Sequence, residues 1–367
     1  MHGGNSCSDR RANDHPEEST SLKAVKMNAS QLGVGLRGAG QVSYEHAKAI
    51  QNNPRLYLAA VCSRSAESAR SLAAAFASDA TIYENYEDML SDQDVNIVSV
   101  CTPNYLHARE AIQSFEAGKH LILEKPVAIN SEELAELRAA ARKANTKSVV
   151  SFVLRWHPMI RNLKALLDQR AIGDIYYAEA DYWHGIRETF SSYNWIRQKQ
   201  FAGGAMISGG CHAADIMRYL TGKEVEEVFA HGFRKRPDFD YDTTIVASIK
   251  YNDGSVGKLS SSLDGVRFPY QFNVDLLGTD GAIRDNRIYS KILFPEQTDF
   301  VTVNSDTPNS GAVAHHPFQQ EIDDLADHIL DDKPILSDVL DACKTSELVL
   351  AIETSAATGQ PVRISSE

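Results

Sequence analysis

Cysteine is scarce in this chain: Cys7, Cys62, Cys101, Cys211 and Cys343 are scattered, with no C-x-x-C pair. That scatter excludes a disulfide framework and a zinc knuckle, and it fits a reducing, cytoplasmic setting. No metal site is expected. No apolar run approaches the roughly 20 residues a membrane span requires, so no membrane partner is expected either. Positive charge is also short, 37 Lys and Arg against 49 Asp and Glu, for a formal net charge of -12. So acidic a chain is no general binder of a phosphate backbone, which excludes nucleic acid as a partner. Any anionic ligand must instead be held locally, by helix N-termini and one or two arginines. The first thirty residues lack hydrophobic alternation altogether. Arg10-Arg11 is followed by no apolar stretch, which argues against a twin-arginine export signal. Residues 1–30 are read as a disordered leader, or as a segment upstream of a true start at Met27, with the fold beginning near Gln31.

Length and patterning are what the chain does have. Its 367 residues leave room for two domains, and 43% hydrophobic with 23% charged residues describes a soluble globular protein. From Leu32 to Leu154 apolar runs alternate with helical patterns. Strands are expected over Leu32–Leu36, Leu56–Val61, Val95–Cys101, His120–Leu123 and Val149–Leu154. Helices are expected over Tyr44–Gln51, Ala66–Phe76, His107–Glu116 and Ser131–Ala144, the last capped by Ser131. Such alternation predicts an α/β domain over residues 31–154, with a parallel sheet covered on both faces. After Arg155 the character changes. Helices are expected over Met159–Leu167 and Ser208–Leu220, the second ended by Gly222, and extended segments over Ile175–Trp183, Thr243–Tyr251 and Val256–Leu263. Asn252-Asp253-Gly254 is a hairpin turn, Gly278-Thr279-Asp280-Gly281 joins two more strands, and helices Phe318–Leu330 and Val339–Ala357 close the chain. Residues 155–367 are therefore read as an α+β domain built on an antiparallel sheet.

Gly38-Ala39-Gly40-Gln41-Val42-Ser43 follows the first strand and opens the first helix, the context that a dinucleotide fingerprint requires. Gly38 permits the tight turn, Gly40 lets the backbone approach a pyrophosphate, and Gln41 and Val42 open the helix beneath it. Ser43 stands where Gly or Ala is usual, small enough for close packing. About twenty residues on, the fingerprint expects an acid on the ribose 2′-hydroxyl. This chain offers Ser63-Arg64 instead. A hydroxyl and a guanidinium would bind a 2′-phosphate that a carboxylate would repel, so NADP is the expected cofactor, with NAD as the alternative.

Thr102-Pro103-Asn104 and Glu124-Lys125-Pro126 end consecutive strands, where a cofactor would lie across the sheet edge. A lysine there neighbours both a nicotinamide and a substrate oxygen. His212 lies early in the expected helix Ser208–Leu220, after Gly203, Gly204, Gly209 and Gly210. Ser208, four residues earlier, shares its helical face, and Asp215, three further on, is placed to orient the imidazole. Lysine and histidine from separate domains point to hydride transfer, Lys125 steadying the reacting oxygen and His212 relaying its proton.

These residues resemble the GFO/IDH/MocA oxidoreductase family. The resemblance rests on Gly38-Ala39-Gly40, Cys101-Thr102-Pro103-Asn104 with His107, Ala117-Gly118-Lys119-His120, Glu124-Lys125-Pro126, Gly203-Gly204 leading to His212 and Asp215, and Ser355-Ala356-Ala357-Thr358-Gly359. It implies a Rossmann N-terminal domain and a C-terminal domain with an open, mostly antiparallel sheet that assembles homodimers or homotetramers. It also implies NAD(P)-linked chemistry on a sugar, cyclitol or related small molecule. Thr102, Asn104, His107 and Glu124 would then border the cofactor. Trp156, His157, Tyr182, Trp183, His184, Trp195 and Arg197 become candidates for the cleft, and Arg155, His184, Trp195, Ser208 and His212 are the residues expected at the substrate. Many members carry an aspartate where this chain has Ser208. Two other readings remain open: a glycoside-cleaving enzyme that recycles its bound cofactor, and a non-catalytic nucleotide-binding sensor.

Overall fold

The computed structural model describes residues 31–267, 269–308 and 316–364; the leader assigned to residues 1–30 lies outside the described residues. A first unit alternates β1 (Leu32–Arg37), α1 (Gln41–Asn52), β2 (Leu56–Cys62), α2 (Ala66–Phe76), β3 (Thr81–Tyr83), α3 (Tyr86–Ser91), β4 (Ile97–Val100), α4 (His107–Glu116), β5 (His120–Leu123), α5 (Ser131–Lys143) and β6 (Ser148–Val150). Its six strands are parallel, in the order β3-β2-β1-β4-β5-β6. All four residues of β4 are buried, because helices cover both faces; the strand accordingly reads as apolar but for Ser99. The strand order reverses between β1 and β4, and a crevice opens beyond the carboxyl ends of those strands.

The second unit runs through α6 (Pro158–Asp168), β7 (Ile175–Trp183), α7 (Tyr193–Ile196), α8 (Lys199–Ala202), α9 (Cys211–Thr221), β8 (Val225–Phe233), β9 (Thr244–Tyr251), β10 (Val256–Ser262), β11 (Gln271–Gly278), β12 (Gly281–Arg284), β13 (Arg287–Ser290), β14 (Val301–Thr302), α10 (Phe318–Asp331), α11 (Val339–Thr358) and β15 (Val362–Arg363). Nine strands form one sheet in the order β14-β13-β12-β11-β7-β10-β9-β8-β15. Neighbours are antiparallel except β7 and β10, which run parallel. Along β9, Ile245, Ala247, Ile249 and Tyr251 point inward and Val246, Ser248 and Lys250 outward. That alternation marks a sheet with one face covered and one open. Among the described residues, no helix is long and apolar enough to cross a membrane.

Several expectations change. Asn130, not Ser131, caps α5: its side-chain oxygen accepts from the Glu133 N–H at 2.9 Å. The strand expected to reach Leu154 stops at Val150, and a 3-10 turn over Val153–Trp156 follows. The helix expected from Ser208 opens as a wide π turn over Met206–Gly210 before α9 begins. Several short or exposed elements carried too little signal to be foreseen, among them β3 with three residues, α3 with six, and β8, which exposes its last three. Helix α10, assigned by the sequence to the second unit, packs on the first. Its Phe318, Ile322, Leu325 and Ala326 join Val34, Leu36, Ala47 and Ile50 in one core, where α10 packs beside α1 and against β6 and completes the cover that α1 and α2 begin.

Glu321 sits on this buried face of α10. Its Oε1 accepts from the Ser151 hydroxyl at 2.8 Å, while Oε2 has no partner among the described residues. Burial pushes the carboxyl up to about 8, with His46 opposing the rise and Glu124 adding to it. An unfolded chain ionises this group at an ordinary glutamate pKa, so stability is lost as pH rises towards the folded value. Glu321→Gln removes that loss. Its melting temperature relative to the native protein should climb between about pH 5 and about pH 8; parallel melting curves across that range would refute the assignment.

Candidate active site

The carboxyl ends of the parallel strands and the α9 side of the mixed sheet enclose a cleft of about 1240 Å³. Its floor is the turn between β1 and α1. Gly38 adopts φ +104°, and a Cβ there would stand 2.6 Å from the Cys101 carbonyl oxygen, so only glycine fits. A Cβ on Gly40 would meet nothing within 4 Å. Gly40 caps α1, yet no side chain claims the first amides of that helix and no acid stands in its first turn. Unclaimed amides beneath open space fit a dinucleotide pyrophosphate.

Ser63 and Arg64 line the far end of the cleft, past β2. The Ser63 hydroxyl accepts from the Ser65 N–H at 3.3 Å. Arg64 is exposed, with no hydrogen-bond or ion-pair partner among the described residues. Arg37 lines the same end, but Glu110 and the Cys62 sulfur hold its guanidinium at 2.8 and 3.1 Å. Glu110 also accepts from the Thr102 hydroxyl at 2.7 Å. The two ring nitrogens of His107 lie 2.7 and 2.6 Å from the carbonyl oxygens of Pro126 and Thr102. His107 thus ties together the loops that follow β4 and β5.

Glu124 accepts from His46 Nε2 at 3.1 Å, and His46 Nδ1 meets the Ser99 hydroxyl at 2.9 Å. Burial opposes ionisation of Glu124, but the hydrogen bond and charge of His46 hold its carboxyl below the ordinary range. Next along the chain, Lys125 Nζ donates to the Ser208 carbonyl oxygen at 3.2 Å, and Asn104 Nδ2 donates to the Ser208 hydroxyl at 3.1 Å. The π turn therefore receives two side chains from the first unit. His212 follows it, 3% exposed, stacked on Tyr182 with ring centroids 5.4 Å apart. Its Nδ1 has no partner among the described residues. Burial, then the charges of Lys125, His316 and His184, hold His212 well below the usual histidine range. The imidazole is thus held neutral, with Nδ1 open to a hydrogen-bond donor.

Residues 32–152 match the family model described as the oxidoreductase family, NAD-binding Rossmann fold, and residues 164–364 match its C-terminal alpha/beta domain. The chain belongs to the GFO/IDH/MocA oxidoreductase family. It is 26% identical over 341 residues to an uncharacterized oxidoreductase, YrbE, of Bacillus subtilis, covering 91% of this chain and 97% of that protein. It is 27% identical to levoglucosan dehydrogenase of Pseudarthrobacter phenanthrenivorans, over 69% of this chain and 73% of that one. A levoglucosan dehydrogenase solved with NADH and levoglucosan has the same fold, with TM-score 0.82, 24% identity and coverage of 91% and 99% of the two chains. Membership makes this chain an NAD-binding oxidoreductase.

Six residues expected at the cleft do not line it in this GFO/IDH/MocA protein: Arg155, Trp156, His157, Trp183, Arg197 and Asp215. Asp215 does not orient His212. Its two oxygens take the Arg155 guanidinium at 2.8 and 2.6 Å, and Thr345 adds a bond of 3.1 Å. Arg155 is 3% exposed and also meets Asp341 at 2.6 Å, so it is spent behind α9 and not offered to substrate. Trp183 points to the opposite sheet face, where its indole donates to Ser260, and Trp156 donates to Asp324. Arg187 and Tyr270 do line the cleft and went unnoticed; they sit in irregular segments where no periodicity marks them. Removing one partner of a buried ion pair strands the other charge, so Asp215→Asn should cost about 3 kcal/mol in urea unfolding, with Asp341 limiting the loss. A cost below about 1 kcal/mol would mean that Arg155 does not depend on Asp215.

Proposed function

We propose that this oxidoreductase acts on a hydroxyl-bearing carbon of a sugar, cyclitol or related compound, with Lys125 and His212 at the reacting oxygen. The observation that carries the reading is their convergence from different units: Lys125 reaches the Ser208 carbonyl, four residues before His212, across the cleft. Relatives named for levoglucosan and for D-glucosides support the substrate class; the Escherichia coli D-glucoside 3-dehydrogenase is 30% identical over 57% of this chain and 60% of its own length. Bound over Gly38–Val42, a nicotinamide dinucleotide supplies the hydride acceptor or donor. The Lys125 ammonium steadies negative charge on the substrate oxygen, and the neutral His212 imidazole takes the hydroxyl proton. The Tyr182 ring beneath His212 fixes the plane of the imidazole and excludes water from that side. Lys125→Ala should lower kcat by about a hundredfold or more while dinucleotide binding, followed by fluorescence quenching, persists. Steady-state rates near the native value on a confirmed substrate would overturn this role.

We further propose a preference for NADP. Support comes from the unpartnered Arg64 and the Ser63 hydroxyl at the far end of the cleft, where the ribose-binding acid is absent. Glu84, after β3, is the acid that shares that end. Arg64→Ala should shift the NADP-to-NAD ratio of kcat/KM towards NAD by about tenfold or more. An unchanged ratio would sink the preference. Assembly through the open face of the mixed sheet belongs to the same proposal. On that face Val256, Tyr177 and Leu277 stand in one cross-strand row, and Val256 and Leu277 are exposed.

A further inference from the structure

Among the described residues, the substrate half of the cleft is lined by two cations, Lys125 and Arg187, beside the imidazoles of His184, His212 and His316, and by no carboxylate. Two acids line the cleft elsewhere. Glu84 follows β3, which pairs with the end of β2 beside Ser63. Glu124 is committed to His46 at 3.1 Å. A carboxylate-free pocket is unexpected in a chain of net charge -12. Its field is felt by its own members: burial first, then Lys125, His316 and Arg187, bring His184 down to about 4.

Arg187 is the group without an occupation. It is exposed to the cleft and has no hydrogen-bond or ion-pair partner among the described residues. The neighbouring Glu188 does not line the cleft. The backbone under Arg187 is nevertheless held. The Ile186 N–H donates to the Leu263 carbonyl at 3.2 Å, and the Ile186 carbonyl accepts from Arg236, which Asp238 fixes at 2.7 Å. An unpaired guanidinium carried on that backbone offers the fork that matches a carboxylate. On the opposite side His212 Nδ1 is enclosed and unpartnered, in a side chain that is 3% exposed. Hydroxyls and amides such as Tyr270, Ser191 and Asn194 can meet the hydroxyls of a sugar, but among the described residues only Arg187 offers this half of the cleft an unpaired guanidinium.

We propose that the natural substrate is a hydroxy acid of the sugar-acid type, whose carboxylate is bound by Arg187 while its reacting hydroxyl faces Lys125 and His212. The proposal rests on the dehydrogenase reading above and narrows it. Paired compounds test it: glucuronate with glucose, galacturonate with galactose, each acid with its methyl ester, and glucose 6-phosphate to separate phosphate from carboxylate. Binding is read by calorimetry with NADP or NAD present, and turnover by nicotinamide absorbance. Each acid should bind about tenfold or more tightly than its neutral partner, with the advantage shrinking as salt is raised. Arg187→Gln should raise KM for the acid by about tenfold while kcat moves by less than about threefold, and Arg187→Lys should recover part of the loss. Neutral partners binding as well as the acids, phosphate outranking carboxylate, or no acid binding at all would each overturn the proposal. Acids that bind with this preference yet reduce neither dinucleotide would leave the anion site standing and remove the dehydrogenase reading. Turnover of neutral sugars with no advantage for acids would do the reverse.

Discussion

Ser208 is where the two units of this protein meet. Its carbonyl takes the Lys125 ammonium at 3.2 Å and its hydroxyl takes the Asn104 amide at 3.1 Å. The hydroxyl is acceptor and donor at once: it takes the Asn104 amide and donates to the Ala202 carbonyl at 2.8 Å, while the Lys125 bond falls on the backbone. The π turn that carries Ser208 is held from behind by Glu353, whose carboxylate accepts from the Met206 N–H at 2.8 Å. A Cβ on Gly204 would stand 2.3 Å from that carboxylate, which explains the glycine there. The reacting end of the cleft thus depends on one short irregular segment gripped from both sides.

The parallel sheet was legible because its strands are buried on both faces and its turns carry glycine at fixed offsets. The cleft residues were legible where a motif or the end of a strand marked them: the phosphate turn, Thr102, Asn104, Lys125 and His212 all line it. What stayed hidden depends on tertiary pairing. Asp215 shares a helix with His212 and is only three residues away, so spacing assigned it to the imidazole. The structure gives it to Arg155, 60 residues back in the chain, because a buried guanidinium needs a carboxylate more than a neutral imidazole does. Arg187 had no pattern to announce it. The fate of α10 was equally invisible: amphipathicity shows that a helix has a buried face, not which sheet covers it.

Family membership and the local chemistry carry different parts of the account. The family establishes the dinucleotide-binding unit and the oxidoreductase class, while this chain's own substitutions distinguish it within that class. Ser208 before the histidine, and Lys125 and Arg187 lining the same half of the cleft, leave that half with positive charge and no free carboxylate among the described residues. The remaining carboxylates nearby are already engaged: Glu124 with His46, and Asp215 with Arg155.

The return of α10 to the first sheet has a consequence for biosynthesis. Val34, Leu36 and Ile50 share a core with Phe318, Ile322 and Leu325, which lie far downstream of them in the chain. The Rossmann unit, made before α10, waits with one flank only partly covered until α10 has emerged. Severing the chain between its two sheets would leave that flank without its lid. The two halves of this enzyme are separable on paper and interdependent during folding.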